Sequence, residues 1–372
     1  MRILLTLDAV GGVWQYGMDL ARGLVARGVE PVLAVLGPAP DAGQRAEASR
    51  IEGARVVETG LALDWLSEGP EPVLAAGAAI ATLARDEHAD LVQFNMPTLG
   101  AATPPPVPVI AVTHGCVGTW WEAAKRGEAL DPAYHWHRDL MGEGLRSADR
   151  LVAPTHSYAR TIQRLYALPD TPQVVHNGRT VLVEGAGDQP MRGEPTGGVL
   201  TVGRLWDRVK RADLLDAVAA RIGAPFAAAG AAIGPHGERA ELHHLRLLGQ
   251  LDAAGLGAEL AKQPVFVSAA SFEPFGLAVL EAAQAGCALV LSDIDSFREL
   301  WDGAAAFVPP DDKAAYVGAI EQLLHDPAER RRLGEAARQR AGRYSPQAMA
   351  DAMLAIYADA LAEGTCSGRV AA

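Results

Sequence analysis

Cysteine, long apolar runs and blocks of positive charge are all scarce in this sequence of 372 residues. The three cysteines, Cys116, Cys287 and Cys366, lie far apart. That spacing excludes a disulfide framework and a clustered zinc site, and it favours a reducing compartment. The apolar segment 73–84, VLAAGAAIATLA, has the length of a core helix and is too short to span a membrane. The N-terminal run 3–7 is too short for a signal peptide.

The scarcity of positive charge limits the classes of partner. The formal net charge is −12, and lysine and arginine form no prominent block. This excludes broad nucleic-acid binding and gives no support to constitutive binding of anionic lipid, although a local patch could still mediate a peripheral membrane contact. We therefore expect a cytoplasmic protein without a transmembrane segment.

The residues that are abundant indicate a folded α/β protein. The chain is 49% hydrophobic and 21% charged, which is typical of globular proteins, and its length suits two domains. Strand-length apolar runs alternate with helical patterns. Segment 2–7 reads as a buried strand, a glycine turn and a helix ending near Gly28 follow, and 31–36 reads as the next strand. Such a unit predicts a parallel sheet.

The alternation weakens between residues 178 and 197, which are rich in glycine, proline and charge and read as a linker. We predict an N-terminal Rossmann-like domain, 1–184, and a C-terminal one, 185–345. The remaining segment, 346–372, contains a final helix and a tail. Further strands are predicted at 90–95, 107–114, 150–154, 198–204, 225–230, 264–268 and 288–293.

Two features of the first half follow predicted strands. Gly11 and Gly12 come after the first strand, where glycine allows a ligand close to the backbone and the next helix offers its amides; a simple tight turn is an equal alternative. The segment does not read G-x-G-x-x-G, which weakens a dinucleotide-oxidoreductase interpretation. His114 ends another strand, and taken alone a structural histidine is the favoured interpretation.

The second half has two charged features at strand ends. Arg204 and Lys210 lie in a loop after a strand, and two cations in one site suit a diphosphate, although a solvated basic loop is common. Glu273 precedes Pro-Phe-Gly and a helix, and Glu281 lies inside that helix among apolar residues. An inward carboxylate needs a partner, and a ribose diol could supply one.

Together these features resemble family 4 retaining glycosyltransferases, which have the GT-B fold. The matching segments are GGV (11–13), TH (113–114), HNG (176–178), GR with Lys210 (203–210) and EPFGLAVLEAAQAG (273–286). The last one fits the family's E-x7-E pattern with its internal FGL. The resemblance extends over nearly the whole chain and is clearest in its second half.

The resemblance implies two Rossmann-like domains facing a cleft, with the final helix crossing back to the N-terminal domain. It implies that Glu281 holds the donor ribose, with Arg204 and Lys210 neutralising the departing diphosphate. Glu273 would contact the sugar, and His114 would lie near the anomeric centre. The backbone amides of Phe275, Gly276 and Leu277 would contact phosphate or sugar hydroxyls. Gly11 and Gly12 would line the donor–acceptor junction.

The implied activity is transfer of a sugar from a nucleotide-diphosphate sugar to an acceptor hydroxyl with retention, as a hexosyltransferase of glycan biosynthesis. No metal and no cofactor beyond the nucleotide-sugar co-substrate are expected, because cations do the work of a metal. A metal role for Asp293 and Asp295 is disfavoured, and one of them is expected to cap the next helix.

The chain departs from the family pattern at three places. The family often has a proline at the position of His176 and a glycine after the lysine, where this chain has Arg211. It often has Gly-x-Pro where this chain has Gly-Cys-Ala (286–288). His176 and Arg179 either tune the acceptor side or are neutral variation, and neutral variation is favoured. A nucleotide-sugar epimerase and a non-catalytic sugar-nucleotide-binding protein remain alternatives. The acceptor could be a glycan, a lipid-linked intermediate or a small molecule.

Overall fold

The computed structural model describes residues 1–102, 104–183 and 198–366. The chain forms two compact units, one of Met1–Gly178 with Pro346–Ala372 and a second of Arg179–Ser345. The sequence-based boundary lay a few residues later, after 184. Most of the segment predicted as a linker, 184–197, lies outside the described residues.

The first unit is built on a parallel sheet with the strand order β3-β2-β1-β4-β5-β6-β7. Its strands are β1 (Arg2–Asp8), β2 (Glu30–Leu36), β3 (Arg55–Glu58), β4 (Leu91–Phe94), β5 (Val109–Val112), β6 (Arg150–Ala153) and β7 (Gln173–Val174). At the centre of the sheet, Leu5 pairs with Leu33 of β2 and with Gln93 of β4.

The second unit repeats this plan with the strand order β10-β9-β8-β11-β12-β13, again all parallel. Its strands are β8 (Val199–Val202), β9 (Phe226–Ala229), β10 (Arg246–Gly249), β11 (Val265–Ser268), β12 (Leu289–Ser292) and β13 (Ala306–Val308). The predicted fold class, two Rossmann-like parallel-sheet domains, is therefore confirmed. The sequence missed β3, β7, β10 and β13, which have only two to four residues each. Polar residues or glycine interrupt the first three, and β13 is a short apolar segment of three residues.

The helices connect the strands and cover the sheets. In chain order they are α1 (Gly12–Val25), α2 (Ala42–Ser49), α3 (Pro70–Asp86), α4 (Val117–Ala124), α5 (His135–Ser147), α6 (His156–Tyr166), α7 (Ala212–Ala219), α8 (Ala253–Leu260), α9 (Leu277–Gln284), α10 (Asp295–Trp301), α11 (Lys313–His325), α12 (Pro327–Ala341) and α13 (Pro346–Cys366). In the described parts of the chain, no helix is long and apolar enough to cross a membrane.

The central strands are buried on both faces, which explains their continuous apolar sequences. Along β1, Ile3, Leu5 and Leu7 belong to one core cluster and Leu4 belongs to another. This alternation is the two-residue period of a strand. The second sheet has the same arrangement, with separate clusters on its two faces.

The order of the strands decides where a site can form. In each unit the chain leaves the first strand towards one edge of the sheet and later returns to its other side, so that β1 lies beside β4 and β8 beside β11. Loops that follow adjacent strands at this reversal diverge to opposite faces and leave a crevice at the carboxyl ends. The segments singled out in the sequence follow β1, β5, β8 and β11.

The last helix belongs to the first unit. Gly23 of α1 lies so close to α13 that an added Cβ would be 2.6 Å from the Cβ of Ala350. Met353 and Tyr357 of α13 are fully buried within the core cluster of this unit. The helix is therefore part of the N-terminal fold, although more than 160 residues separate it in sequence from that fold.

Candidate active site

The backbone of the loop between β1 and α1 forms hydrogen bonds with the side chains of Asp8 and Gln44. Asp8 accepts hydrogen bonds from the backbone N–H groups of Val10 at 2.8 Å and Gly11 at 3.2 Å. Gln44 of α2 donates to a carbonyl of the same loop at 2.8 Å. Gly11 precedes α1 with extended backbone, and an added Cβ would meet no described atom within 4 Å, while Gly12 begins the helix. Neither backbone conformation nor packing requires a glycine at position 11, which leaves close approach of a ligand as a reason for it.

His114 lies just beyond β5 and is half-buried. Its Nε2 is 3.0 Å from Oδ1 of Asn95, which follows β4. The ring of Tyr16 from α1 packs against the imidazole edge-on, with centroids 4.5 Å apart. Burial lowers the pKa of His114 from 6.5 to about 4, so the ring is neutral at physiological pH.

The two cations predicted after β8 are each paired with a carboxylate. Arg204 is half-exposed, donates to Asp207 at 2.8 Å and lies over the ring of Trp206. Lys210 lies at the end of the 3-10 helix Arg208–Lys210, and its Nζ is 2.5 Å from Oε2 of Glu273. The structure thus joins Lys210 to a residue that follows the adjacent strand β11. Arg204 and Lys210 therefore pair with different carboxylates.

The residues before α9 form a partly buried segment. The carbonyl oxygen of Glu273 accepts a 2.6 Å hydrogen bond from the Ser296 hydroxyl, and Phe275 is 3% exposed. Gly276 has φ +92°, a left-handed conformation that favours glycine. The backbone N–H groups of Gly276 and Leu277 donate to no other described residue. They are therefore available to an anionic or hydroxyl ligand at the start of the helix.

Glu281 has a protein partner, which corrects the sequence-based expectation that its partner is a ligand. Oε1 of Glu281 accepts a 2.6 Å hydrogen bond from Nε of Arg179, and both side chains are less than a tenth exposed. Gln284 donates to the carbonyl of Arg179 at 2.7 Å, and the amide of Arg179 donates to Tyr344. Arg179 is therefore a structural partner of α9, and its interpretation as neutral variation was wrong.

The sequence contained a signal for this pair. Glu281 and Gln284 are one helical turn apart in an otherwise apolar helix, so both face the same neighbour. A positive side chain is one of the partners that can satisfy a buried carboxylate, and Arg179 lies directly after the HNG segment. Only the fold shows that these two segments meet.

The prediction that Asp293 or Asp295 caps the helix after β12 was wrong. Asp293 forms a bidentate pair with Arg298 at 2.6 and 2.8 Å. Ile294 is the N-cap residue of α10, and no side chain caps that end; Asp295 lies in the first turn. Within the ranges that the structure describes, no group of three or more His, Cys, Asp or Glu side chains could hold a metal ion.

Two polar residues near His114 were not identified from the sequence. Gln93 and Asn95 lie two positions apart on β4 and just beyond it, and both are buried. Polar residues at this spacing in a central strand share one face, which was an available signal. Their hydrogen bonds run from His114 to the last helix.

Two family models match most of the chain. Residues 10–180 match the model described as Glycosyltransferase Family 4, and residues 233–340 match Glycosyl transferases group 1. Phosphatidyl-myo-inositol mannosyltransferase of Mycobacterium leprae is 26% identical over 394 aligned positions, which cover 97% of this chain and 96% of that protein. D-inositol 3-phosphate glycosyltransferase of Acidothermus cellulolyticus is 31% identical over 296 positions, 69% of this chain and 63% of that protein.

Solved structures share the fold at low sequence identity. Sucrose-phosphate synthase from Thermosynechococcus elongatus superposes with a TM-score of 0.76 and 18% identity, covering 98% of this chain and 100% of that one. Anabaena HepE, solved in complex with UDP-glucose, gives 0.73 and 15% over 96% and 100%. The two family models, the related enzymes and this fold agree with the motifs at the strand ends. The chain belongs to glycosyltransferase family 4 and is a glycosyltransferase with the GT-B fold.

Proposed function

We propose that this enzyme transfers a hexose from a nucleotide-diphosphate sugar to an acceptor hydroxyl with retention of anomeric configuration and without a metal ion, in the cytoplasm. The observation that carries the proposal is the Lys210–Glu273 pair, which joins a cation after β8 to a carboxylate beside the free amides that begin α9. A cation and helix amides together suit a diphosphate, and the adjacent carboxylate suits a sugar hydroxyl.

In the proposed reaction the bond between the anomeric carbon and the phosphate oxygen breaks, and its electron pair goes to the diphosphate. Lys210 and Arg204 stabilise the negative charge that grows there, which lowers the barrier. The acceptor oxygen bonds to the anomeric carbon on the same face. Its proton passes to a phosphate oxygen, so no protein nucleophile is needed.

The remaining residues have binding roles in this proposal. The amides of Phe275, Gly276 and Leu277 contact phosphate or sugar hydroxyls, and Glu273 contacts the sugar while it pairs with Lys210. His114 contacts the sugar near the anomeric carbon, and the open loop at Gly11 and Gly12 allows a ligand to approach its backbone.

Glu281 has a revised role, because Arg179 already occupies one of its carboxylate oxygens. We propose that Arg179 fixes the orientation of Glu281 and that the donor ribose binds to this preformed pair. Replacement of Glu281 then affects the fold and nucleotide binding together, so this residue is unsuitable as a first test.

The comparisons suggest which donor and which acceptor class to test first. Solved neighbours were crystallised with UDP or UDP-glucose, and the related enzymes are named for inositol-containing acceptors. UDP is therefore the first nucleotide to test. A polyol hydroxyl, either lipid-linked or on a small molecule, is the first acceptor class.

The test is thermal unfolding of the purified chain with UDP, GDP, ADP, dTDP or NAD, with EDTA and then with magnesium. A ligand at a hundred times its dissociation constant adds about 2.7 kcal/mol of stability. We expect one nucleoside diphosphate to raise the Tm in EDTA, less so for Lys210→Ala. Lys262→Ala is the matched control, since Lys262 pairs with Glu259 on the surface of the same unit.

Product analysis then separates the alternatives. Turnover of the matching nucleotide sugar that requires an acceptor and gives a retained anomeric configuration by NMR supports the transferase. Conversion of the donor without acceptor would indicate an epimerase, and binding without turnover would indicate a non-catalytic protein. An absolute requirement for magnesium would refute the metal-independent mechanism.

A further inference from the structure

A chain of buried hydrogen bonds in the first unit ends at His114. Oδ1 of Asn95 receives Nε2 of His114 at 3.0 Å and Nε2 of Gln93 at 2.9 Å. The side-chain nitrogen of Asn95, Nδ2, lies 2.7 Å from the backbone carbonyl oxygen of Thr6. Thr6, Gln93 and Asn95 are 7% exposed or less. These groups therefore satisfy one another within the protein.

The carbonyl of Thr6 decides the direction of every bond in this chain. A backbone carbonyl can only accept, so the Asn95 atom facing it must be the NH2 group. The other end of the amide is then the oxygen Oδ1, which can only accept. It follows that Nε2 of His114 must carry a proton and donate it to Asn95. In a neutral imidazole the second nitrogen, Nδ1, is then an unprotonated acceptor.

The same logic continues to the last helix. Gln93 must present its NH2 group to Asn95, and this group also donates to the hydroxyl of Tyr16 at 3.2 Å. Oε1 of Gln93 is then the acceptor for the hydroxyl of Tyr357 in α13. Tyr357 and Gln93 are fully buried, so water cannot replace the hydrogen bond that fixes the orientation of the Gln93 side-chain amide.

The surroundings of His114 favour its neutral form. Asn95 from β4 is uncharged, and Tyr16 from α1 is the titratable group whose ring faces the imidazole. Burial raises the pKa of Tyr16 well above its usual value, so that ring is neutral too. Burial also lowers the pKa of His114 to about 4. Among the described residues, Nδ1 of His114 makes no hydrogen bond.

We infer that Asn95 is a positioning residue that holds His114 as the neutral Nε2–H tautomer, so that Nδ1 is a fixed hydrogen-bond acceptor for a substrate hydroxyl. The contact with substrate rests on the proposed function, whereas the tautomer follows from the fold alone. Gln93 supports Asn95 by donating a hydrogen bond to the second lone pair of Oδ1. Tyr357 in turn fixes the orientation of the Gln93 side-chain amide. The last helix therefore contributes to the site through this hydrogen-bond chain.

The tautomer is measured directly in the full chain. The protein is labelled with 15N-histidine, and long-range proton–nitrogen correlation spectra of the imidazoles are recorded from pH 5 to 8. The sequence has ten histidines, and His114→Gln identifies the signals of position 114. We expect an unprotonated Nδ1, a protonated Nε2 and no titration over this range. An Nδ1–H tautomer, or titration near the ordinary value of 6.5, would overturn the inference.

Variants separate positioning from general stability. Asn95→Leu removes the acceptor, and we expect a mixture of tautomers and kcat lowered about tenfold or more, with the donor KM changed less. Asn95→Asp places a carboxylate beside Nε2, and we expect the titration of His114 to move upward into the measured range. Tyr357→Phe is the milder variant. It should lower the population of the Nε2–H tautomer of His114 while Asn95 remains as the acceptor. Unchanged spectra in Asn95→Leu would refute the role of Asn95.

Thr98→Val is the matched control. Thr98 is fully buried in the same unit and donates to Asp64 at 2.9 Å, outside the chain that reaches His114. It should lose stability and leave the His114 spectrum unchanged. If the wild-type spectrum shows the expected tautomer but no nucleotide sugar is turned over, the inference about Asn95 stands and the proposed function fails. A changed spectrum in the control would show that any lost buried hydrogen bond disturbs His114, which would refute the assignment.

Discussion

Replacing Arg179 with methionine tests whether the buried pair with Glu281 holds the second unit together. Methionine keeps much of the apolar stem of arginine, so the main change is the loss of the charge and its hydrogen bonds. Glu281 would remain 7% exposed without its 2.6 Å partner. Removing one member of a buried ion pair typically costs about 3–5 kcal/mol, and we expect a loss of stability in that range.

The matched variant is Arg179→Met with Glu281→Met in one chain. Two apolar side chains of similar size leave no unpaired charge, and such replacements are often neutral or stabilising. We therefore expect the double variant to be more stable than Arg179→Met alone. The single variant should also recover stability as pH falls, because a buried carboxylate that has lost its arginine is better tolerated when protonated.

The assay must resolve one unit of a two-unit chain, since a single global transition is not assured. Native-state hydrogen exchange of the peptide that contains α9 reports opening of the second unit. A peptide from β1, in the first unit, serves as the internal control and should be unaffected. If the double variant is as unstable as Arg179→Met, or if the single variant loses less than about 1 kcal/mol, the pair does not carry the stability assigned to it.

Three further outcomes are expected. Lys210→Ala should lower kcat by about 100-fold or more with a smaller change in donor KM, measured by steady-state kinetics, because it removes a charge that matters most in the transition state. Arg211 has φ +55° at the start of α7, so Arg211→Gly should relieve about 1 kcal/mol of strain and roughly offset the loss of its exposed pair with Asp311 in urea unfolding. His114 binds its proton less readily in the folded protein, where its pKa is about 4, than in the unfolded chain, where it is 6.5. The free energy of unfolding should therefore fall by on the order of 3 kcal/mol through this residue as pH drops from about 6.5 to 4. His114→Gln should lack this loss, and identical acid unfolding of the two proteins would contradict the prediction.

The central strands were predictable because burial on both faces requires continuous apolar runs. Segments such as 2–7 and 288–293 have this pattern and form β1 and β12. The edge strands β3 and β10 do not, because one side of each faces solvent and charged residues are tolerated there. Arg55 and Glu58 in β3 show why the pattern fails.

The candidate site was predictable to the extent that its residues follow strands directly. His114 and Lys210 are each fixed by the strand before them, since parallel strands present their carboxyl ends at one edge of a sheet. Partners could not be predicted in the same way. Lys210 meets Glu273 across 63 residues, and each of these charges could equally have been solvated.

The sequence by itself determined the two parallel sheets, the residues at their carboxyl ends and the family, because local apolar periodicity and short motifs carry that information. Tertiary structure decided the neutralisation of Glu281 by Arg179 and the reach of Tyr357 to Gln93 across 264 residues. The physical reason is that a buried polar group must find a partner, while the sequence states only that the need exists. Which distant residue meets it depends on how the helices pack on the sheets.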